Sequence, residues 1–317
     1  MKYNFCGNSG LQLPEISLGL WHNFGDVDDF GVATSMILHA FESGITHFDL
    51  ANNYGPPPGS AETNFGKVLA KELKGHRDEL IISSKAGHLM WDGPYGDGGS
   101  RKYIMASINQ SLKRTGLEYF DIFYSHRYDS QTPIEETMQA LIDIVKQGKA
   151  LYIGISKYPP QKAIEAYEIL QSQNVPCLIY QDKYSMLVRQ PEKEHMDINE
   201  KYGVGFIAFS PLAQGVLTNK YLNGIPKDSR AHKSHGFLQE SEITQDVINK
   251  VKALNDLALQ RGQTLAEMAL AWLLHNNRVT SVIIGTSSLA QLKDNLKAKE
   301  NAEFSDEELA LIEKILA

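Results

Sequence analysis

Four residues in this chain carry groups that together can place a proton on a carbonyl oxygen. Asp49 and Tyr54 lie in ITHFDLANNYG at 45–55, Lys85 in SSKAG at 83–87, and His126 in YSHR at 124–127. A free phenol has a pKa of about 10, so a tyrosine donates poorly at neutral pH unless a cation favours its phenolate. Lys85 is the candidate cation. A lysine withdrawn from water tends to lose its own proton, and Asp49 is the partner that holds it charged. His126 would donate a hydrogen bond to the carbonyl oxygen, polarising it while Tyr54 delivers the proton. Such a set supplies no hydride, so a redox cofactor has to. Taken singly, each residue has a plainer reading: Asp49 as a strand cap, Tyr54 as core edge, Lys85 as a solvated end cap. They gain weight only where several strand ends meet.

The elements that must position them are strands ending side by side. Two short segments, 3–6 and 11–13, flank a Gly-Asn-Ser-Gly turn and predict a hairpin that covers one end of the fold. Apolar strand candidates then recur at 16–20, 46–50, 80–84, 121–125, 152–156, 178–181, 206–210 and 282–285, with helical patterns such as 30–42, 62–73, 102–114, 134–147 and 162–170 between them. Thr132-Pro133-Ile134-Glu135 predicts a capped helix start, and Thr264 to Glu267 and Ser305 to Glu308 predict capping boxes. The alternation predicts an α/β fold, a (β/α)8 TIM barrel with an N-terminal β-hairpin and extra C-terminal helices; a doubly wound sheet is the alternative. No repeat or linker divides the chain, so residues 1–317 are expected to form one domain. In a barrel the active site sits at the carboxyl ends of the strands. Those ends carry Trp21 and His22, Asp49 to Tyr54, Lys85, His126 and Arg127, Ser156, Gln181, Phe209 and Ser210, and Gly285 to Ser287.

Composition narrows the function classes. A net charge of -7 argues against a protein that binds nucleic acid by general phosphate attraction. No apolar run approaches the ~18 residues of a membrane span, and the amino terminus lacks a secretory pattern, so a cytoplasmic protein is expected. The two cysteines, Cys6 and Cys177, lie far apart without CxxC spacing, and His232 and His235 lack acidic or cysteine partners, so no metal is expected. Gly203-Val204-Gly205 precedes a strand candidate and cannot open a helix onto a pyrophosphate. No Gly-x-Ser-x-Gly elbow suggests a hydrolase.

FDLANNYG, SSKAG and YSHR together resemble the Asp-Tyr-Lys-His tetrad of the aldo-keto reductases, NAD(P)H-dependent carbonyl reductases built on a (β/α)8 barrel. LGLWHNFG at 18–25, NYGPPPGSAE at 53–62, WDGPYGDGGSRKY at 91–103 and SPLAQGVLTNKYLNGIP at 210–226 are similar to the bacterial L-glyceraldehyde 3-phosphate reductases, which in turn resemble potassium-channel beta subunits. The resemblance implies NADPH (NADP+) as cofactor. It places Trp21 and Asp49 at the nicotinamide end, Ser156 and Gln181 on its carboxamide, and Phe209 under its ring. Ser210, Leu212, Gln214 and Gly215 would form the loop over the pyrophosphate, with Lys220 and Arg230 as phosphate or clasp cations or, alternatively, solvated loop charges. Gly285, Ser287 and Gln291 would serve the 2'-phosphate and adenosine site, and Asn295 the adenine. Asp294 stands where the family usually has Glu, and Lys157 where many members have Asn.

The implied reaction is NADPH-dependent reduction of small aldehydes, such as L-glyceraldehyde 3-phosphate and methylglyoxal, with Tyr54 as proton donor. Trp21, His22, Tyr54, Trp91 and His126 would line the substrate cavity, under a glycine-rich loop at 87–100 that is a candidate cover. Arg127 has two readings, an anchor for a substrate phosphate or a salt bridge to Asp129. The alternative function is a nucleotide-sensing accessory subunit like the channel relatives, against which His126 speaks, since those proteins carry Asn there. A homo-oligomer is expected from the relatives.

Overall fold

The computed structural model describes residues 1–222 and 240–317. Strands β1 (Tyr3–Phe5) and β2 (Gln12–Pro14) form the antiparallel hairpin. Eight parallel strands close a barrel: β3 (Ile16–Gly19), β4 (His47–Asp49), β5 (Ile81–Ala86), β6 (Phe120–Ser125), β7 (Ala150–Ser156), β8 (Cys177–Lys183), β9 (Gly205–Phe209) and β10 (Ser281–Ile284), with β10 paired to both β9 and β3. The (β/α)8 expectation holds, and closure rules out the doubly wound alternative, which needs an open sheet.

Helices α1 (Phe30–Glu42), α2 (Ser60–Glu72), α3 (Arg101–Thr115), α4 (Ile134–Lys146) and α5 (Pro160–Ser172) return the chain between successive strands from β3 to β8. The chain reaches β9 through α6 (Gln190–Glu194) and α7 (Met196–Tyr202), and β10 through α8 (Gln245–Gln260) and α9 (Leu265–His275). After β10 come α10 (Leu289–Leu296) and α11 (Asp306–Leu316). α11 packs against α8, and these two are the additional C-terminal helices.

Local chemistry sets the boundaries. α1 starts where the Asp29 carboxylate accepts the Val32 N–H, and it buries Ala33, Met36, Ile37 and Ala40, one stripe at helical spacing. Both C-terminal capping boxes form, Thr264 with Glu267 and Ser305 with Glu308. The Thr132 start is corrected. Pro133 occupies the N-cap position without a side-chain cap, because the Thr132 hydroxyl donates to Asp129 Oδ2 at 2.7 Å instead.

Side-chain alternation splits the barrel's apolar residues into two layers. Outward positions such as Ile16, Leu18, Phe48, Ile82, Phe123, Ile153 and Phe206 pack against the helices. Inward positions Ile122, Tyr124, Ile179, Ile207 and Ile283 form a smaller core inside the barrel, joined by Cys6 and Leu13 from the hairpin. Fully burying one such aliphatic side chain contributes roughly 1.5–3 kcal/mol. The hairpin covers the amino ends of the strands: Asn4 Nδ2 donates to Thr280 O at 3.0 Å and Asn8 N to Gly203 O at 2.9 Å. Only the opposite end is left for a site.

Candidate active site

Strand register assembles the four residues with which the sequence analysis began. Asp49 lies level with Gly19 on β3 and with Ser83 on β5, and Lys85, two residues beyond Ser83, shares its face. Lys85 is fully buried, and its Nζ donates to Asp49 Oδ2 and to Leu50 O, each at 2.6 Å. The same Nζ lies 5.1 Å from the centre of the Tyr54 ring. His126 stands edge-on to Tyr54, with ring centroids 5.9 Å apart.

Burial sets the protonation states. It pushes the Lys85 ammonium below its ordinary pKa, while Asp49 pulls back in the other direction. His126 falls well below the usual histidine value, first through burial and then through Lys85, so it is neutral at pH 7. Tyr54 departs from the expectation that Lys85 would make it more acidic. Burial, and then the charge of Asp49, push the phenol well above 10. An anion moved out of water next to a carboxylate is penalised twice, and the cation faces the ring rather than acting alone.

The substrate-side residues divide. Trp21 and His22 are 4.0 Å apart by ring centroid and Trp21 and Tyr54 6.2 Å, so Trp21, His22, Tyr54 and His126 make one aromatic wall. Trp91 packs on Tyr103 instead, at 5.2 Å. Arg127 forms neither a free anchor nor a bridge to Asp129. Its guanidinium donates to Asp97 Oδ1 at 2.9 Å, whereas Asp129 accepts from the Gly99 and Gln131 amides and Thr132. Loop 87–100 is docked on the barrel: the Tyr103 hydroxyl donates to His88 O at 2.5 Å, and the Thr137 hydroxyl to Gly99 O at 2.8 Å.

The residues assigned to a nucleotide follow the remaining strand ends. Ser156 and Gln181 are a register pair on β7 and β8, both buried, and Gln181 Nε2 donates to Asp49 Oδ1 at 3.3 Å. Phe209 ends β9, with Lys157 Nζ 5.1 Å from its ring centre. In the loop that follows, Ser210, Ala213 and Gln214 take positive φ angles of 53°, 47° and 57°, beside Gly215 at 101°. Such conformations are costly for L-residues and gather at ligand-binding loops. Leu212 is half-buried beside them, and Lys220 is exposed on the turn Asn219–Tyr221. Arg230, like His232 and His235, lies outside the described residues. Beyond β10, Gly285 faces open space where a side chain would stand, and the Ser287 amide and hydroxyl both donate to Gln291 Oε1. Asp294 is drawn to Lys297 at 2.7 Å. Among the described residues, two buried polar atoms of this set have no hydrogen-bond partner, Ser156 Oγ and Asn295 Nδ2. Unsatisfied buried groups of that kind fit a polar ligand that would complete them.

Sequence reasoning missed several neighbours. His88 meets His126 edge-on at 4.5 Å. Ser83 donates to Asp49 Oδ1 at 2.7 Å, and His47 lies next to Ser83 at 3.0 Å. The available signal was period-2 spacing, since His47 and Asp49 are i, i+2 on one strand and share its inward face.

Comparison with known proteins agrees with this arrangement. Residues 15–317 match the aldo/keto reductase family. The chain is 54% identical over 321 residues to the L-glyceraldehyde 3-phosphate reductase of Escherichia coli K12, covering all of this chain and 93% of that protein. It is 37% identical over 304 residues to a probable voltage-gated potassium channel subunit beta of Arabidopsis thaliana, covering 94% and 91% of the two chains. A rice protein of the same description is 35% identical over 304 residues, again covering 94% of this chain and 91% of its own. With strand ends, barrel closure and sequence all in agreement, the chain belongs to the aldo/keto reductase family.

Proposed function

We propose that this protein reduces small aldehydes, L-glyceraldehyde 3-phosphate and methylglyoxal among them, to alcohols, with NADPH as the reductant and Tyr54 as proton donor. One observation carries the reading: the Lys85 ammonium lies between Asp49 and Leu50 O, close to the Tyr54 ring, with neutral His126 edge-on to that ring. When bound, the nicotinamide supplies a hydride to the carbonyl carbon. The chain's own residues do the rest. His126 donates a hydrogen bond to the carbonyl oxygen as its charge grows, which a neutral imidazole does without giving up a proton. Tyr54 then breaks its O–H bond as a new one forms on the alkoxide, and Lys85 stabilises the phenolate left behind. The raised pKa of Tyr54 keeps the donor loaded at neutral pH, and an alkoxide is a stronger base than the phenolate.

The cofactor residues suit the same reading. Ser156 and Gln181 would hold the carboxamide, Phe209 the ring, Ser210 to Gly215 with Lys220 the pyrophosphate, and Ser287, Gln291 and Asn295 the adenosine end. Preference for NADPH over NADH rests on the family resemblance, which assigns Ser287 and Gln291 to the 2'-phosphate and adenosine site. Lys157, beside the Phe209 ring, gives the cleft a cation suited to a phosphorylated aldehyde. The name of the Escherichia coli relative supports that substrate class. The test is NADPH consumption with methylglyoxal and with DL-glyceraldehyde 3-phosphate, comparing the protein with Tyr54→Phe. Loss of about a hundredfold or more in the variant, with NADPH still bound, is expected. Tight nucleotide binding without turnover in either protein would instead favour a sensor role, as the channel-subunit relatives suggest.

A further inference from the structure

A chain of hydrogen bonds runs through the barrel interior below the tetrad. Ser281 Oγ lies 2.6 Å from Ser17 Oγ, Ser17 Oγ 2.9 Å from His47 Nδ1, and His47 Nε2 3.0 Å from Ser83 Oγ. Ser83 Oγ then donates to Asp49 Oδ1 at 2.7 Å. Ser17, His47, Ser83 and Ser281 are all buried, on four different strands.

The direction of every bond follows from its last member. An ionised carboxylate only accepts, so the single hydroxyl proton of Ser83 goes to Asp49. Ser83 Oγ must then accept from His47, which puts the imidazole proton on Nε2 and leaves Nδ1 as an acceptor. Ser17 fills that acceptor with its own proton, and so accepts in turn from Ser281. One charge at Asp49 thus orders four neutral groups. The charged groups acting on His47 are Asp49 and Lys85; burial, reinforced by Lys85, outweighs the opposing pull of Asp49 and lowers the imidazole to about 4, so it is neutral at pH 7.

We infer that His47 is a positioning residue: as the neutral Nε2–H tautomer it fixes Ser83, which pins Oδ1 of Asp49 and leaves Oδ2 turned onto Lys85. With Oδ1 taken by Ser83 and Gln181, Oδ2 remains for the ammonium. The catalytic consequence rests on the function proposed above. The tautomer does not, and is tested separately.

The first experiment is 15N NMR of imidazole-labelled protein without cofactor or substrate, with the His47 signal assigned by its loss in His47→Gln. A proton on Nε2, a bare Nδ1 and no titration between about pH 5 and 8 are expected. A proton on Nδ1, or a charged ring at pH 7, would overturn the inference. The second uses Ser83→Ala, a small change that keeps the fold testable where His47→Leu fails to fold. With Oδ1 of Asp49 no longer pinned, kcat should fall by about tenfold or more with NADPH affinity unchanged. His47→Leu should match it, His47→Gln should recover part of the loss by restoring an N–H toward Ser83, and the double variant should be no worse than either single change. A purely structural role would lower the melting temperature of these variants while leaving kcat of the folded protein unchanged, and additive losses would refute the coupling. If the wild type reduces no aldehyde, the proposed function fails, while the NMR result still decides the tautomer.

Discussion

The two halves of the barrel interior are built on opposite principles. Strands β3, β4, β5 and β10 turn Ser17, His47, Asp49, Ser83, Lys85 and Ser281 inward, and hydrogen bonds or ion pairs link them all. Strands β6, β8 and β9 turn Ile122, Tyr124, Ile179 and Ile207 inward, where they pack with Ile283 of β10 by apolar contact, and of their inward side chains Gln181 on β8 reaches across to Asp49. Apolar burial is non-directional and tolerates small shifts, so it stabilises without specifying where any atom must point. The polar half is directional, and each member is costly when its partner is missing. The barrel thus draws stability from one side and orientation from the other.

That division is broken most sharply by Lys85→Met, which leaves Asp49 buried without its counter-ion. The expected cost is about 3–5 kcal/mol in urea unfolding, together with loss of aldehyde reduction. A stability within about 1 kcal/mol of wild type would show that the pair matters little to the fold.

Next in size is a pH effect confined to the polar half. His47 has a folded pKa of about 4 against an ordinary 6.5, so its contribution is complete above pH 6.5 and is lost as pH falls from there toward 4. The loss amounts to about 3 kcal/mol, at about 1.4 kcal/mol per pKa unit. Unfolding free energies at pH 7.5, 5.5 and 4 should trace it, and His47→Gln should flatten the slope. An unchanged slope would remove His47 from the account.

In the apolar half, Gly154→Ala would set a Cβ 2.4 Å from Tyr124 Cε1 and 2.9 Å from Ile179 O. Tyr124 is fully buried and cannot withdraw, so a loss of about 1–3 kcal/mol is expected by calorimetry. The smallest effect sharpens the contrast. Ile207→Val should cost about 1 kcal/mol and leave kcat and its pH profile as they were. A change in kcat there would mean that the two halves are coupled.

Sequence legibility follows the same line. α1 could be read to its ends, because an aspartate cap and an apolar stripe are both local signals. The tetrad was legible because its members lie at or just beyond the ends of three apolar strands, and barrel topology brings strand ends together without any need to know the register. What stayed hidden depended on partners distant in sequence. Ser83 meets Asp49 only because β4 and β5 pair in one register, with His47 opposite Ile81. Arg127 finds Asp97, thirty residues earlier in the docked loop, and no local pattern separates that partner from Asp129. Thr132 failed as a cap because Asp129 competed for its hydroxyl. The raised pKa of Tyr54 was likewise invisible, since it depends on burial rather than on the neighbouring cation alone.

The hairpin beneath the strands has a kinetic consequence for the hydrogens inside. Cys6 and Leu13 close the amino end of the barrel, and Ser17, His47 and Ser83 have no exposed surface. The interior is a cul-de-sac. A deuteron entering from solvent has to pass the tetrad first, so His47 Nε2–H should exchange far more slowly than its fast intrinsic chemistry allows, and opening the mouth, rather than loosening the floor, should set its lifetime.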